Sequence, residues 1–241
     1  MQVLVWYCHL SYNLAMSEDR DQALGLLHTA RWLEAYDPGL AEALVAEGAL
    51  SRLRTGQWAQ AEGDEETGLM VVIEGAVDLF CQAPGDREVR ISHAGAGAAL
   101  GQAMRFGGGP RLVTAVCAEP SLLLRVSDAG LERIARLRPD IWRAVATLVY
   151  FQLRNALQMA AEVSALPPRQ RLASRLLMLA RGRASPAVLN ISQQGLAEMI
   201  GLTRKTVNGH LAVLQREGAV RLDYGRIWIE DVRRLQVVAD S

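Results

Sequence analysis

Apolar positions along the chain change period twice over residues 22–163, and each change marks a new kind of element. Residues 22–35 (QALGLLHTARWLEA) and 38–47 carry them at helical spacing, with Asp37-Pro38 as the break between two short helices. After residue 48 the period falls to two. Short apolar runs at 49–54, 69–73, 76–81, 88–92, 112–117 and 121–126 are separated by Gly, Pro, Asp and Ser clusters, which predicts six or more strands and points to an all-β barrel, sandwich or roll. From Leu131 the period is helical again. Trp142, Ala146, Val149, Leu153, Ala156, Ala160 and Val163 step by four and three, giving a seam with a mean period of 3.5. A helix lying on its own core usually shows a wider stripe than this, and three alanines would let a second helix come close. Residues 139–163 are therefore expected to pair with the same helix of a second copy, with packing on the helix's own domain as the other reading.

Leu166-Pro167-Pro168 ends that helix, because neither proline can donate a backbone hydrogen bond, and marks a hinge. A helix is expected at 169–181, then a loop from Gly182 to Asn190. Beyond the loop, Ser192 can cap a helix over 193–200, with Leu196, Ala197 and Ile200 on one face. Gly201 supplies a tight turn. Thr203 can cap the next helix, with Val207, Leu211 and Leu214 inward and Gly218 as its stop. Helix, short glycine turn, helix is the spacing of a helix-turn-helix, whose second helix enters the major groove of DNA. The runs 219–223 and 226–230 flank Tyr224-Gly225 as a hairpin, the wing.

The exposed leading residues of the second helix are then the expected readers of DNA: Thr203, Arg204, Lys205, Thr206, Asn208 and Gly209. A guanidinium can bind O6 and N7 of guanine together, so Arg204 is the expected base contact. Lys205 and Asn208 could read a base or hold a phosphate, and Thr203 and Thr206 are expected on phosphates. Ser192, Arg169, Arg171, Arg175, Arg221 and Arg226 are the expected further contacts, the arginines on the DNA backbone. His210 stands where an apolar residue would be expected and reads as a partly buried structural histidine.

Charge sharpens this picture. The 241 residues hold 26 Lys/Arg and 26 Asp/Glu, but residues 166–241 hold 12 against 6, leaving 14 against 20 for the remainder. A basic end joined to an acidic partner is the electrostatic footprint of nucleic-acid binding. Cys8, Cys81 and Cys117 are too few and too scattered for a disulfide framework or a Cys-x-x-Cys metal site, and a cytoplasmic location fits them. No apolar run reaches the roughly 18 residues of a membrane span, so no membrane partner is expected. The apolar opening, residues 1–16, lacks a basic leader and reads as an extension, with Met16 as a plausible start. An enzyme built on a metal-holding roll would need clustered ligands, and the β region offers only His93. No nucleophile–base pair is visible either, so no catalysis is expected.

In the order of a β-rich domain, a long helix and a winged helix-turn-helix, the chain resembles the Crp/Fnr superfamily of bacterial transcription regulators over about residues 22–235. ISQQGLAEMIGLTRKTVNGHLAVLQREGAV carries the resemblance in the DNA-binding part, and EGDEETGLMVVIEGAVDLF, with Gly63, Gly68 and Gly75 at its turns, carries it in the roll. The resemblance implies an α+β fold. A jelly-roll-like cyclic-nucleotide-binding domain would span 22–138, a dimerisation helix and hinge 139–165, and a winged helix-turn-helix domain 166–241, with 1–21 as a disordered or mis-started extension. It further implies a homodimer on a palindromic operator of double-stranded DNA, contact with RNA polymerase, and an unknown small-molecule effector in the roll. Family members that bind cyclic AMP hold its phosphate with backbone amides and an Arg and its ribose with a Glu. The corresponding stretch here is GQAMRFGGGPRLVTA. Gly101 and Arg111 fit, while Gln102, followed by Ala103, stands for the Glu, and Leu112 stands where a phosphate-binding Ser is usual. The expectation is a roll that does not take cyclic AMP in the standard way and a protein with no cofactor, a cyclic nucleotide being the alternative. An iron–sulfur cluster needs four cysteines, and haem would have to use Cys81, Cys117 or His93 as lone ligands. The Gly107-Gly108-Gly109-Pro110 loop before Arg111 could cradle an anion or be a plain hairpin tip. Another reading of the whole is a ligand-sensing or interaction module whose DNA-binding domain is vestigial.

Overall fold

The computed structural model describes residues 17–65, 68–101, 109–181 and 186–241. Two compact units divide the chain: residues up to Leu79 with Ala94–Gln152, and Phe80–His93 with Leu153–Ser241.

A helix over 17–28 opens the first unit and is followed by a helix Gly39–Glu47. The leading helix thus starts five residues earlier than the apolar period suggested and stops seven residues sooner. Residues 17–21, expected in the extension, are helical. Their anchor is Asp19, buried and paired with Arg52 at 2.5 Å, a polar contact that a count of apolar spacings does not register. After residue 28 the backbone closes into turns through Thr29 and Ala30, which donate to the carbonyls of Leu26 and Leu27.

The β region supplies eight strands: β1 Ala49–Leu53, β2 Trp58–Gln60, β3 Gly68–Glu74, β4 Ala76–Ala83, β5 Arg87–Gly95, β6 Ala99–Leu100, β7 Thr114–Cys117 and β8 Ser121–Ser127. One sheet has the order β1-β8-β3-β6 and the other β2-β7-β4-β5. β8 is central in the first, antiparallel both to β1 (Ala49 opposite Arg125) and to β3 (Leu69 opposite Val126). Long β-branched and aliphatic runs suit these positions because β3 is buried on both faces. Leu69, Val71 and Ile73 join the core shared with the helices, where Leu27, Trp32, Leu44 and Leu131 also lie. Gly63, Gly68 and Gly75 all adopt positive φ, as expected of tight turns in the roll.

Two helices follow, Asp128–Leu137, capped by Ser127, and the long helix Ile141–Ala165. The long helix buries Ile141, Ala144, Val145 and Leu148 in the first unit's core, with Trp142 packed partly against it. Packing on its own core thus holds for part of the helix. Its N-terminal half has a core stripe of its own, while Ala146, Leu153, Ala156, Ala160 and Val163 are exposed and Val149 is half-buried.

In the second unit the helix Pro168–Ala180 follows the hinge with Pro168 in its first turn, where a missing N–H costs nothing. Arg171 ties the hinge down by donating to the carbonyl oxygens of Val163 (2.9 Å), Leu166 (3.1 Å) and Ile200 (3.1 Å). The rest is the helix Gln193–Met199, the helix Arg204–Arg216, a hairpin of β10 Val220–Asp223 and β11 Arg226–Ile229, and a last helix Val232–Ala239. A third strand, β9 Ala187–Leu189, pairs antiparallel with β11 inside what the sequence predicts as a loop. Leu172, Leu176, Leu196, Val207, Leu211, Leu214, Ile229 and Leu235 form one closed core here. Among the described residues no helix is long and apolar enough to cross a membrane.

Candidate nucleic-acid interface

Capping fixes both helices of the helix-turn-helix. Ser192 Oγ accepts from the Gly195 amide at 3.0 Å, and Thr203 Oγ1 accepts from the Thr206 amide at 3.1 Å while sharing a 2.8 Å hydrogen bond with Thr206 Oγ1. Each such cap is worth about 1 kcal/mol. Gly201 lies between the helices at φ +64°, a conformation that L side chains rarely adopt. Val207, Leu211 and Leu214 are fully buried, contributing about 1.5–3 kcal/mol each and fixing which face of the second helix looks outward.

On the outward face Thr203, Arg204, Lys205 and Gly209 are exposed and Thr206 is half-buried. A Cβ on Gly209 would meet nothing within 4 Å, so the helix is flat and open there. No acid occupies the first turn, which leaves the partial positive charge of the helix start uncompensated. Asn208 is half-buried with Oδ1 enclosed and unpartnered, so that oxygen is turned away from any partner outside. His210 is half-buried, as expected.

The start of this helix and the wing frame a cleft of about 440 Å³, lined among others by Ser192, Gln194, Arg204, Tyr224 and Arg226. Tyr224 is 100% exposed at the hairpin tip. Sequence reasoning missed Gln194 and Tyr224 as part of this surface; an aromatic beside a turn glycine, with no apolar neighbour to pack on, was the available signal. Arg204 and Arg226 both line this cleft.

The other expected arginines do not stay open. Arg169 Nη2 donates to both carboxylate oxygens of Glu217, at 2.6 and 2.7 Å. Arg171 is spent on hinge carbonyls. Arg175 is 1% exposed and cannot reach DNA at all, and burial pushes its guanidinium pKa down while the charge of Glu162 acts the other way. Arg221 pairs with Glu230 at 2.9 Å and lies 4.2 Å from the Trp228 ring centroid, although it remains at the surface.

The roll holds a smaller cavity of about 260 Å³, lined among others by Glu47, Gln60, Gly68, Arg111, Arg125 and Ser127. Arg111 is 8% exposed and donates to Gln60 Oε1 at 2.6 Å. Its guanidinium lies over Gly101, where a Cβ would collide with it, so these two expected residues do come together. Leu112 does not join them. It is 65% exposed and is not among the residues that line the cavity. Gln102, Ala103, Gly107 and Gly108 lie outside the described residues. Cys117 is buried, and burial pushes its thiol pKa up, away from the thiolate a metal would need. Among the described residues no group of three or more His, Cys, Asp or Glu is placed to hold a metal.

Two family models match the chain, one over the β region and one over the winged domain. The cyclic nucleotide-binding domain matches residues 50–137, and the Crp-like helix-turn-helix domain matches residues 170–238. The chain is 30% identical over 178 residues to the cyclic AMP receptor protein of Thermus thermophilus, spanning 74% of this chain and 82% of that one. It is 26% identical over 216 residues to a CRP-like cAMP-activated global transcriptional regulator of Mycobacterium tuberculosis, spanning 87% and 96%. The solved structure of FixK2 from Bradyrhizobium japonicum shares the fold with a TM-score of 0.69 at 20% identity, over 79% of this chain and 96% of that one. A cyclic-nucleotide-binding-type roll joined to a helix-turn-helix with an open, positively charged leading end defines a DNA-binding transcription regulator. The chain belongs to the Crp/Fnr family of these regulators.

Proposed function

We propose that this regulator acts as a homodimer that places two copies of the Arg204–Arg216 helix in successive major grooves of a palindromic operator, about 34 Å apart. The observation that carries the reading is the exposed stripe of the long helix. Leu153, Leu157 and Val163 stand in solvent in the single chain beside Ala156 and Ala160. Apolar area left open along one helix face at a 3.5 period is what a twofold helix pair covers. Arg204 then reads a base edge, with Lys205 beside it. Thr203, Thr206, Ser192, Arg221 and Arg226 hold or approach the backbone. RNA polymerase is the further partner through which such a regulator acts.

The roll takes its effector in a way that differs from cyclic AMP binding as the resemblance describes it. In support, Leu112 is exposed and does not line the cavity, and Arg111 is already engaged by Gln60. Selection of bound DNA from a random pool, with and without cyclic AMP, tests both halves. A palindrome recovered equally well in both conditions is expected. A single half-site, or a palindrome recovered only with cyclic AMP, would overturn the corresponding half.

A further inference from the structure

The first helix of the helix-turn-helix, Gln193–Met199, carries a glycine in its opening turn, Gly195, where alanine would serve a helix better. The packing supplies the reason. A Cβ on Gly195 would collide with Nη1 of Arg90, a residue of β5 that belongs to the same unit. The Arg90 side chain is 20% exposed, and its guanidinium also lies 5.4 Å from the Phe80 ring centroid, within the range of a cation–π contact.

On that helix Arg90 meets Glu198. Its Nε lies 3.6 Å from Glu198 Oε2, an ion pair rather than a hydrogen bond. The other carboxylate oxygen, Oε1, accepts from Gln194 Nε2 at 2.8 Å, one helical turn back. Gln194 is exposed and lines the cleft shared with Arg204, Tyr224 and Arg226. A chain of three side chains thus runs from β5 to the DNA-facing surface. A carboxylate only accepts hydrogen bonds, so Glu198 holds the Gln194 amide by its nitrogen end. That nitrogen carries a second hydrogen, on the helix that crosses the DNA backbone in this motif. A phosphate oxygen is an acceptor too, and the second hydrogen suits it. Turned the other way, the amide would present a carbonyl oxygen that a phosphate repels.

We infer that Arg90 is a positioning residue for DNA binding: from β5 it fixes Glu198, and Glu198 turns the Gln194 amide nitrogen toward a backbone phosphate. The inference rests on the Arg204–Arg216 helix being the groove reader and not on the dimer. Arg90 itself stays off the DNA, because its guanidinium is packed on Gly195 and its Nε is enclosed. An acid of the DNA-binding domain then favours binding instead of opposing it, since its contribution to orienting Gln194 outweighs its repulsion of the phosphates.

The test is fluorescence anisotropy of the full chain on the duplex recovered by selection, at a series of salt concentrations. Gln194→Ala should weaken binding about fivefold per half-site, the worth of one neutral hydrogen bond. Arg90→Ala should weaken it about three- to fivefold, and the double variant should bind no more weakly than Gln194→Ala, because both act through one contact. The slope of log affinity against log salt should stay the same in all three, since a neutral amide makes that contact. Gly195→Ala keeps every charge and favours the helix, yet it displaces the guanidinium and should match Arg90→Ala; it decides the matter if Arg90→Ala melts early. Glu198→Gln should also weaken binding, although it removes a negative charge. A slope lowered by about 1 in Arg90→Ala would put Arg90 on a phosphate itself. That result, additive losses in the double variant, or tighter binding by Glu198→Gln would overturn the inference. Arg204→Ala separates it from the reading beneath it. Loss with Arg204→Ala alone overturns only the relay, whereas unchanged affinity in Arg204→Ala at every operator position removes the groove reading and the relay with it.

Discussion

The DNA-facing surface of the winged domain and the cavity of the roll are both lined by arginine, yet the two regions treat it in opposite ways. Arg204 and Arg226 stand exposed on either side of an open cleft. Arg111 is buried and hydrogen-bonded to Gln60 of its own domain. The contrast follows from the partners. Duplex DNA presents a regular, densely charged surface, so a reader can be built in advance with its cations left in water at little cost. A small ligand in a cavity of this kind would have to replace contacts that the lining side chains already make, and a ligand shifts a protein only by its differential affinity for two states. One region is legible as an interface from a single chain; the other shows only contacts made within its own domain.

The sharpest way to break the comparison is to remove the proposed symmetry. Ala156→Glu with Ala160→Glu places like charges on the exposed seam of the long helix. Sedimentation should then report a monomer, and operator affinity should fall by roughly a thousandfold toward nonspecific levels. A variant that stays dimeric would move the interface elsewhere. Next in size is Arg204→Ala, expected to lose about 1–3 kcal/mol of discrimination at one base pair of each half-site while the melting temperature holds. Gel-shift titrations against operators substituted at each position measure it. Uniform weakening across all positions would reassign Arg204 to a phosphate.

The same contrast explains what could be read in the sequence. Periods of two and of 3.6 gave the strands and helices because burial of one face dictates them, and Ser192, Thr203 and Gly201 marked the helix-turn-helix because caps and positive φ demand few residue types. β9 was missed since three residues, Ala187–Leu189, are too few to show alternation. Arg169, Arg171 and Arg175 were read as DNA contacts because a charge count does not register engagement. Arg175 could have been placed correctly: it lies on the same helix face as Leu172 and Leu176, and all three are buried. Arg169 could not, because its partner Glu217 is 48 residues away. The roll cavity was legible only at Gly101 and Arg111, since the inward Gln60 depends on strand register and Leu112 lies in a bend before β7, where no period marks which side chain is buried.

A cap tests how far the interface is preformed. Thr203→Ala removes the acceptor for the Thr206 amide and should cost about 1 kcal/mol of stability in the winged domain, seen as a lower midpoint in urea. DNA affinity should fall with it, because the leading turn carries Arg204 and Lys205. Thr203→Ser should restore both. Smaller still is the difference between two arginines. Arg226→Ala should reduce the slope of log affinity against log salt by about 1, as loss of one phosphate contact does. Arg169→Ala should leave that slope unchanged, since Glu217 already holds its guanidinium. Equal slopes for the two variants would mean that Glu217 releases Arg169 when DNA arrives.

The smallest effect concerns the last helix, whose cap is a charge. The Arg234 amide, then the Arg233 amide and the Arg234 guanidinium, hold the Asp231 carboxyl below its ordinary range of about 3.9, against a lesser opposing effect of burial. A carboxylate whose pKa is lower in the folded state binds fewer protons there than in the unfolded chain, so its contribution to stability is present above the ordinary value and is lost as pH falls through the folded one. Asn at this position caps without a charge and does not titrate. Thermal melts of the wild type and Asp231→Asn should therefore differ by a constant amount from neutral pH down to about 5, and by progressively less below about pH 4. A gap that stays constant to the lowest pH would show that the cap works through its geometry alone, and that the charge on Asp231 adds nothing to holding the final helix against the DNA-binding core.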